Sequence, residues 1–110
     1  MLQPMEVRVV LIAGADATAM RLASMELFRA GHVPIMIDWM AAPLLALSGL
    51  DRNGDRTYDE ILHPLTERLI GRCDAVLRVD GPSVAADDMV SLASGRGLRV
   101  FFSLQEALDG

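Results

Sequence analysis

Extended and helical stretches alternate along this 110-residue chain, which predicts one α/β domain of three layers. Three observations carry the prediction. Residues 7–13, VRVVLIA, are rich in β-branched side chains and almost continuously apolar after Arg8, the pattern of a strand buried on both faces of a parallel sheet. Residues 74–79 repeat that pattern in the second half of the chain. Between them, Pro34 lies inside the extended segment 33–37, and a proline removes a ladder donor, so this second strand belongs at a sheet edge. An edge is where the second strand falls in the order 2-1-3-4, a flavodoxin-like parallel sheet with helices on both faces.

Taken in order, the first strand gives way to the small-residue turn Gly14-Ala15-Asp16-Ala17-Thr18, where Asp16 or Thr18 can cap a helix. That helix runs to Ala30 and stops at Gly31. Met20, Ala23, Leu27 and Ala30 form its apolar stripe, with Ala19 at the border. Leu22 and Met25 fall outside the stripe, either as ordinary exposed residues or as a face covered by a second subunit. After the second strand, residues 38–49 are very apolar for a connection and suit a lid, a short helix or an interface. Residues 51–57, DRNGDRT, resemble part of an EF-hand loop. Gly54 stands too early and Leu62 occupies the place of the bidentate Glu, so a polar turn is expected instead. Tyr58, Ile61, Leu62, Leu65 and Leu69 trace the next helix, kinked or restarted at Pro64, with His63 as a solvated histidine on the opposite face. The third strand, Asp74 to Val79, contains an unexpected Arg78. A helix from Ser83 to Ser94 comes next, with Ala86, Met89, Val90 and Ala93 inward, then a fourth strand from Leu98 to Ser103 and a short helix from Leu104 to Leu108.

Composition excludes several functions. The net charge is −5 with no basic run, the wrong sign for a nucleic-acid backbone or an anionic membrane. All ten basic residues are Arg, so a Walker lysine and a Schiff-base lysine are both ruled out. Cys73 stands alone, which leaves no intrachain disulfide or cysteine metal cluster and fits a reducing, cytoplasmic setting. Ala13-Gly14-Ala15 mimics a signal-peptide cleavage site, but Glu6 and Arg8 have the wrong charge and placement for a leader. No run approaches roughly 18 apolar residues, so no membrane span is expected. With hydrophobic residues at 52%, seven of them Met, the chain has ample core material, and Met also suits pockets and interfaces.

Two loops leave the carboxyl ends of the central strands, residues 14–18 and 80–83. Each opens a helix, and a helix start with free amides suits a phosphate or carboxylate, with Thr18 and Ser83 as extra donors. The bland alternative is that both are plain caps. Gly14, Asp16, Thr18, Gly81 and Ser83 are thus the candidate ligand-binding residues. Asp80, Asp87 and Asp88 gather at the second loop, as acid–base candidates or as the acids that favour any helix start. The dinucleotide fingerprint is absent, since the first loop lacks the second and third glycines. Asp38 ends the second strand, where a ribose-binding acid would sit. No Ser-His-acid set emerges from His32 and His63, and no metal or cofactor is expected.

The segments Leu11-Ile12-Ala13-Gly14, Gly31-His32-Val33, Cys73-Asp74-Ala75-Val76, Gly81-x-Ser83-x-x-Ala86-Asp87 and Val100-Phe101-Phe102-Ser103 together resemble a bacterial group. It is the group related to nucleoside 2-deoxyribosyltransferases and deoxynucleoside 5′-monophosphate N-glycosidases. The similarity covers nearly the whole chain, in order, implying one domain of this type over residues 1–110. It implies a flavodoxin-like fold, a homodimer or larger homo-oligomer, and cleavage of N-glycosidic bonds by a Glu after the third strand. It also implies that Ser83 contacts a substrate phosphate and that Gly14 belongs to the first loop of the site. The nucleophile position falls on Met89, whose thioether cannot attack an anomeric carbon. A second acid position falls on Thr66. The expectation is therefore a protein that binds a nucleotide or other phosphorylated small molecule without the usual nucleophile. The alternatives are a glycosidase or transferase using Asp87, Asp88 or a neighbouring subunit's acid, and a non-enzymatic oligomeric interaction protein.

Overall fold

A computed structural model describes residues 6–49, 56, 58–79 and 81–109. Four strands, β1 (Val9–Ala13), β2 (Val33–Met36), β3 (Ala75–Arg78) and β4 (Arg99–Phe101), form one all-parallel sheet in the order β2-β1-β3-β4. The expected α/β class and strand order are the observed ones. Pro34 lies opposite Val10 on the edge strand, where its missing N–H costs no inner ladder bond.

Alternation along β1 builds the three layers. Val10 and Ile12 point to one face, where α1 (Ala17–Arg29) and the last helix, α5 (Leu104–Asp109), supply Met20, Ala23, Leu27 and Ala107. Leu11 and Ala13 point to the other, against α3 (His63–Ile70) and α4 (Val84–Gly95), which supply Leu69, Ile70, Ala86 and Ala93. Leu11, Ile12, Leu27, Ile70, Leu77, Val10 and Val76 are the largest fully buried side chains. At about 1.5–3 kcal/mol for each such side chain, this sandwich is the main source of stability.

The strand ends are pinned individually. Val9 N–H donates to Asp74 Oδ2 at 2.7 Å while Asp74 N–H donates to Val9 O at 2.8 Å. Asp74, one of the residues behind the family resemblance, thus starts the β1–β3 pairing. Beyond β4, Ser103 Oγ accepts from Glu106 N–H at 3.1 Å and the Glu106 carboxylate accepts from Phe102 N–H at 3.2 Å. This reciprocal cap begins α5 and ends β4 at Phe101, two residues before the expected Ser103.

Residues 37–49 differ most from expectation. β2 ends at Met36, and a twelve-residue helix, α2 (Ile37–Ser48), begins at the next residue. Only Ile37 and Ala41 of α2 are buried, while Trp39, Met40, Leu44 and Leu47 are exposed. Pro43 lies within it and removes the N–H that would bond Trp39 O. On α1, Leu22, Met25 and Phe28 are likewise exposed in the single chain.

The helix expected over residues 58–69 is two pieces, a π-helical turn (Tyr58–Leu62) and then α3, restarting with Pro64 in its first turn. The π turn takes an extra residue per hydrogen bond and rotates the phase of the helix after it. The buried face of α3 is consequently Thr66, Leu69 and Ile70, with Leu65 only half-buried. The expected polar turn at residues 51–57 lies, apart from Arg56, outside the described residues. Among the described residues no helix is long and apolar enough to cross a membrane.

Candidate functional site

A cavity of about 140 Å³ opens at the carboxyl edge of the sheet, under α2, α3 and α4. Its floor is the end of β1, Ile12 and Ala13, with Gly14 just beyond. Ile37 and Asp38 form one wall, Leu62, His63 and Thr66 a second, and Ala85, Ala86, Asp88, Met89 and Leu92 of α4 a third. β1 lies between β2 and β3, so the cavity sits where the chain reverses its direction across the sheet. Open parallel sheets bind ligands at that switch point.

Gly14 sits where packing is tight. A methyl group on it would lie 3.0 Å from Val79 Cβ, 3.3 Å from Val79 O and 3.4 Å from Met20 Cγ. The other four expected ligand-binding residues, Asp16, Thr18, Gly81 and Ser83, lie outside the cavity wall. Asp16 caps α1, accepting from Thr18 N–H at 3.0 Å, and Thr18 is exposed. Ser83 caps α4, its Oγ accepting from Ala86 N–H at 3.1 Å. Gly81 holds the intervening turn at φ 115°, a region that favours glycine. Asp80 lies outside the described residues.

The two acid candidates of α4 separate. Asp88 lines the cavity; Asp87 turns away to Arg78, whose Nε donates to its Oδ1 at 3.2 Å. The same guanidinium donates to Val79 O and, at 2.7 Å, to Gly81 O. Arg78, unexpected in a core strand, is therefore the brace of the β3–α4 turn. Its side chain is 11% exposed, against 72% for Asp87. By pairing Asp87 it removes an uncompensated negative charge from the start of α4, the end of a helix suited to anions.

His63, expected as a solvated histidine, keeps a side chain 39% exposed and also borders the cavity, with Nε2 on a Glu67 carboxylate oxygen. Glu67 also meets Arg96 at the far end of α4, Nη2 to Oε2 at 3.5 Å. Thr66 is buried at the same wall and donates to Leu62 O at 2.7 Å. Sequence reasoning had no signal for His63 as a wall residue; Asp38 was signalled only by its place at a strand end. Cys73 is elsewhere, in the apolar layer beneath α3 and α4, where burial and then the neighbouring Asp74 charge push its thiol up to about 11. His32 is buried at the opposite end of the sheet, its Nδ1 accepting from Arg8 N–H at 3.2 Å.

Fold and site together define a flavodoxin-like α/β domain with a small, mostly apolar cavity at its switch point. No family model matches the chain, and no curated protein matches it.

Proposed function

We propose that this domain binds a nucleotide or a closely related phosphorylated small molecule, with one ring in the cavity and the phosphate at the first turn of α4. The single observation that carries the reading is the contact between those two places. Ala85 and Ala86 belong both to the cavity wall and to the first turn of α4. The Ala86 amide is taken by Ser83, which leaves the amides of Val84 and Ala85 without a partner inside the helix. Among the described residues no Lys or Arg lines the cavity, which favours the helix start for the phosphate.

Support for a nucleoside deoxyribosyltransferase-like origin comes from Met89 and Thr66. These are the two positions where the resemblance expects acids, and although on different helices they line the same cavity. Neither a thioether nor a hydroxyl replaces a carboxylate nucleophile, so the ligand is held without cleavage. The same reading makes this a cytoplasmic protein that self-associates through the exposed apolar faces of α1 and α2. Asp88 at the cavity wall favours the second reading, a glycosidase or transferase using that acid instead.

The test is a thermal-shift and calorimetric panel of nucleoside monophosphates on the wild type and on Ala85→Trp, which fills the cavity mouth from an exposed position. Stabilisation of the wild type that is lost in a folded Ala85→Trp supports binding. No stabilisation by any nucleotide would sink the reading and favour an interaction protein. Release of free base by the wild type, abolished by Asp88→Asn, would establish the enzymatic alternative.

A further inference from the structure

We infer that the cavity admits one six-membered ring and rejects a fused pair of rings, so that the ligand class is a pyrimidine nucleotide in preference to a purine one. The inference rests on the nucleotide reading above and names the ligand class of that site. Its first support is size. At about 140 Å³ the cavity is close to one that holds a single benzene ring. Among the described residues the lining is mostly apolar, through Ile12, Met20, Ile37, Leu62, Met89 and Leu92, which suits the faces of a ring. Met20 comes from α1 and Met89 from α4, and a thioether sulfur makes favourable contact with an aromatic ring.

The second support is that two sides of the cavity resist enlargement. Its floor is the sheet itself, where Ile12 and Ala13 are fully buried members of the two core layers. Beside them, one methyl added at Gly14 would already meet Val79 Cβ at 3.0 Å. Ile37, buried in one wall, directly follows Met36 of β2, so that wall moves only with the sheet edge. Close-packed interiors resist added volume. A purine base therefore enters only by pushing back the π turn with α3, or α4. Area alone argues the other way, since a purine has more apolar surface to bury and would bind tighter in an open cleft. The two expectations have opposite signs, so comparing the two kinds of base separates a bounded ring site from an open cleft.

Calorimetric titration of the full chain with the 5′-monophosphates of cytidine, uridine, adenosine and guanosine tests this. Both pyrimidine members are expected to bind about tenfold tighter or more than both purine members, a ratio that overpacking a filled apolar site supplies. Leu62→Ala and Leu92→Ala each cut back a half-buried side chain of a wall that is not tied to the sheet edge. Each should tighten purine binding several-fold without tightening pyrimidine binding, and the double variant should bring the ratio near one. Circular dichroism checks the fold, and Leu62→Val and Leu92→Val, smaller cuts read in the same way, replace any variant that does not fold. Purine binding equal to or tighter than pyrimidine binding in the wild type, or a ratio unchanged in the folded variants, would overturn the size selection while leaving nucleotide binding in place. Failure of all four monophosphates to bind would overturn both.

Discussion

Arg78→Met isolates the brace at the β3–α4 turn, because methionine keeps most of the aliphatic stem and removes the guanidinium. Three interactions go with it, the bonds to Val79 O and Gly81 O and the pair with Asp87. A hydrogen bond from a charged donor contributes about 1.5–3 kcal/mol. Gly81 is exposed, so water takes over at its carbonyl, whereas Val79 is half-buried and loses more. The pair with Asp87 adds at most about 0.5 kcal/mol, since the carboxylate side is 72% exposed and screened. Sparing the variant the cost of desolvating a cation offsets part of the loss, leaving a net of about 2 kcal/mol. For a domain of this size that is a fall in Tm of about 10 °C. Asp87→Asn, by the same reasoning, changes stability by less than about 0.5 kcal/mol. Urea unfolding followed by circular dichroism measures both, with unchanged m-values confirming a like-for-like comparison. Equal losses in the two variants would show that the ion pair does the bracing. No loss in Arg78→Met would show that the carbonyl bonds contribute nothing.

Three further predictions concern the core and the site. The Cys73 thiol is held protonated to about pH 11, so the folded chain binds that proton more tightly than the unfolded chain does. Stability should stay level below about pH 9 and fall by about 2–3 kcal/mol as pH rises from there to 11; Cys73→Val should remove that slope in urea titrations at graded pH. Gly14→Ala should cost about 1–3 kcal/mol by crowding Val79, and Val79→Ala in the same chain should recover part of it; additive losses would exclude that contact as the cause. Met89→Glu should produce free base from deoxynucleosides or their monophosphates, detected by chromatography, if the nucleophile is all that the cavity lacks; a folded but silent variant would show that more is missing.

The sheet was legible in the sequence because its signals are local and redundant. Apolar β-branched runs mark β1 and β3, and Pro34 alone sends β2 to the edge. α2 was not legible as a full helix because its twelve residues carry only one charge, Asp38, and so show no polar face for a helical period to reveal. The wall position of His63 was hidden for a different reason. A π turn shifts the phase of everything after it, and no residue in Tyr58–Leu62 announces one. At the start of α4, a serine that caps a helix and a serine that meets a phosphate look alike in sequence, and Ser83 is occupied as a cap. Asp87 and Asp88 could not be told apart either. Neighbours on a helix project about 100° apart, so one meets Arg78 and the other the cavity, a distinction set entirely by the strand beside them.

The direct passage from β2 into α2 has a mechanical consequence. Met36 closes the strand and Ile37 opens the helix, with no connecting residue to absorb a change of angle. The wall formed by Ile37 and Asp38 is therefore tethered to the sheet with zero slack, and turning it would tear the β1–β2 ladder at Ile12–Met36. On the proposed ligand-binding reading, a bulkier guest would make its room against the other two walls, the π turn with α3 and the start of α4. Substitutions that widen ligand choice should then concentrate in those two walls rather than at Ile37 and Asp38.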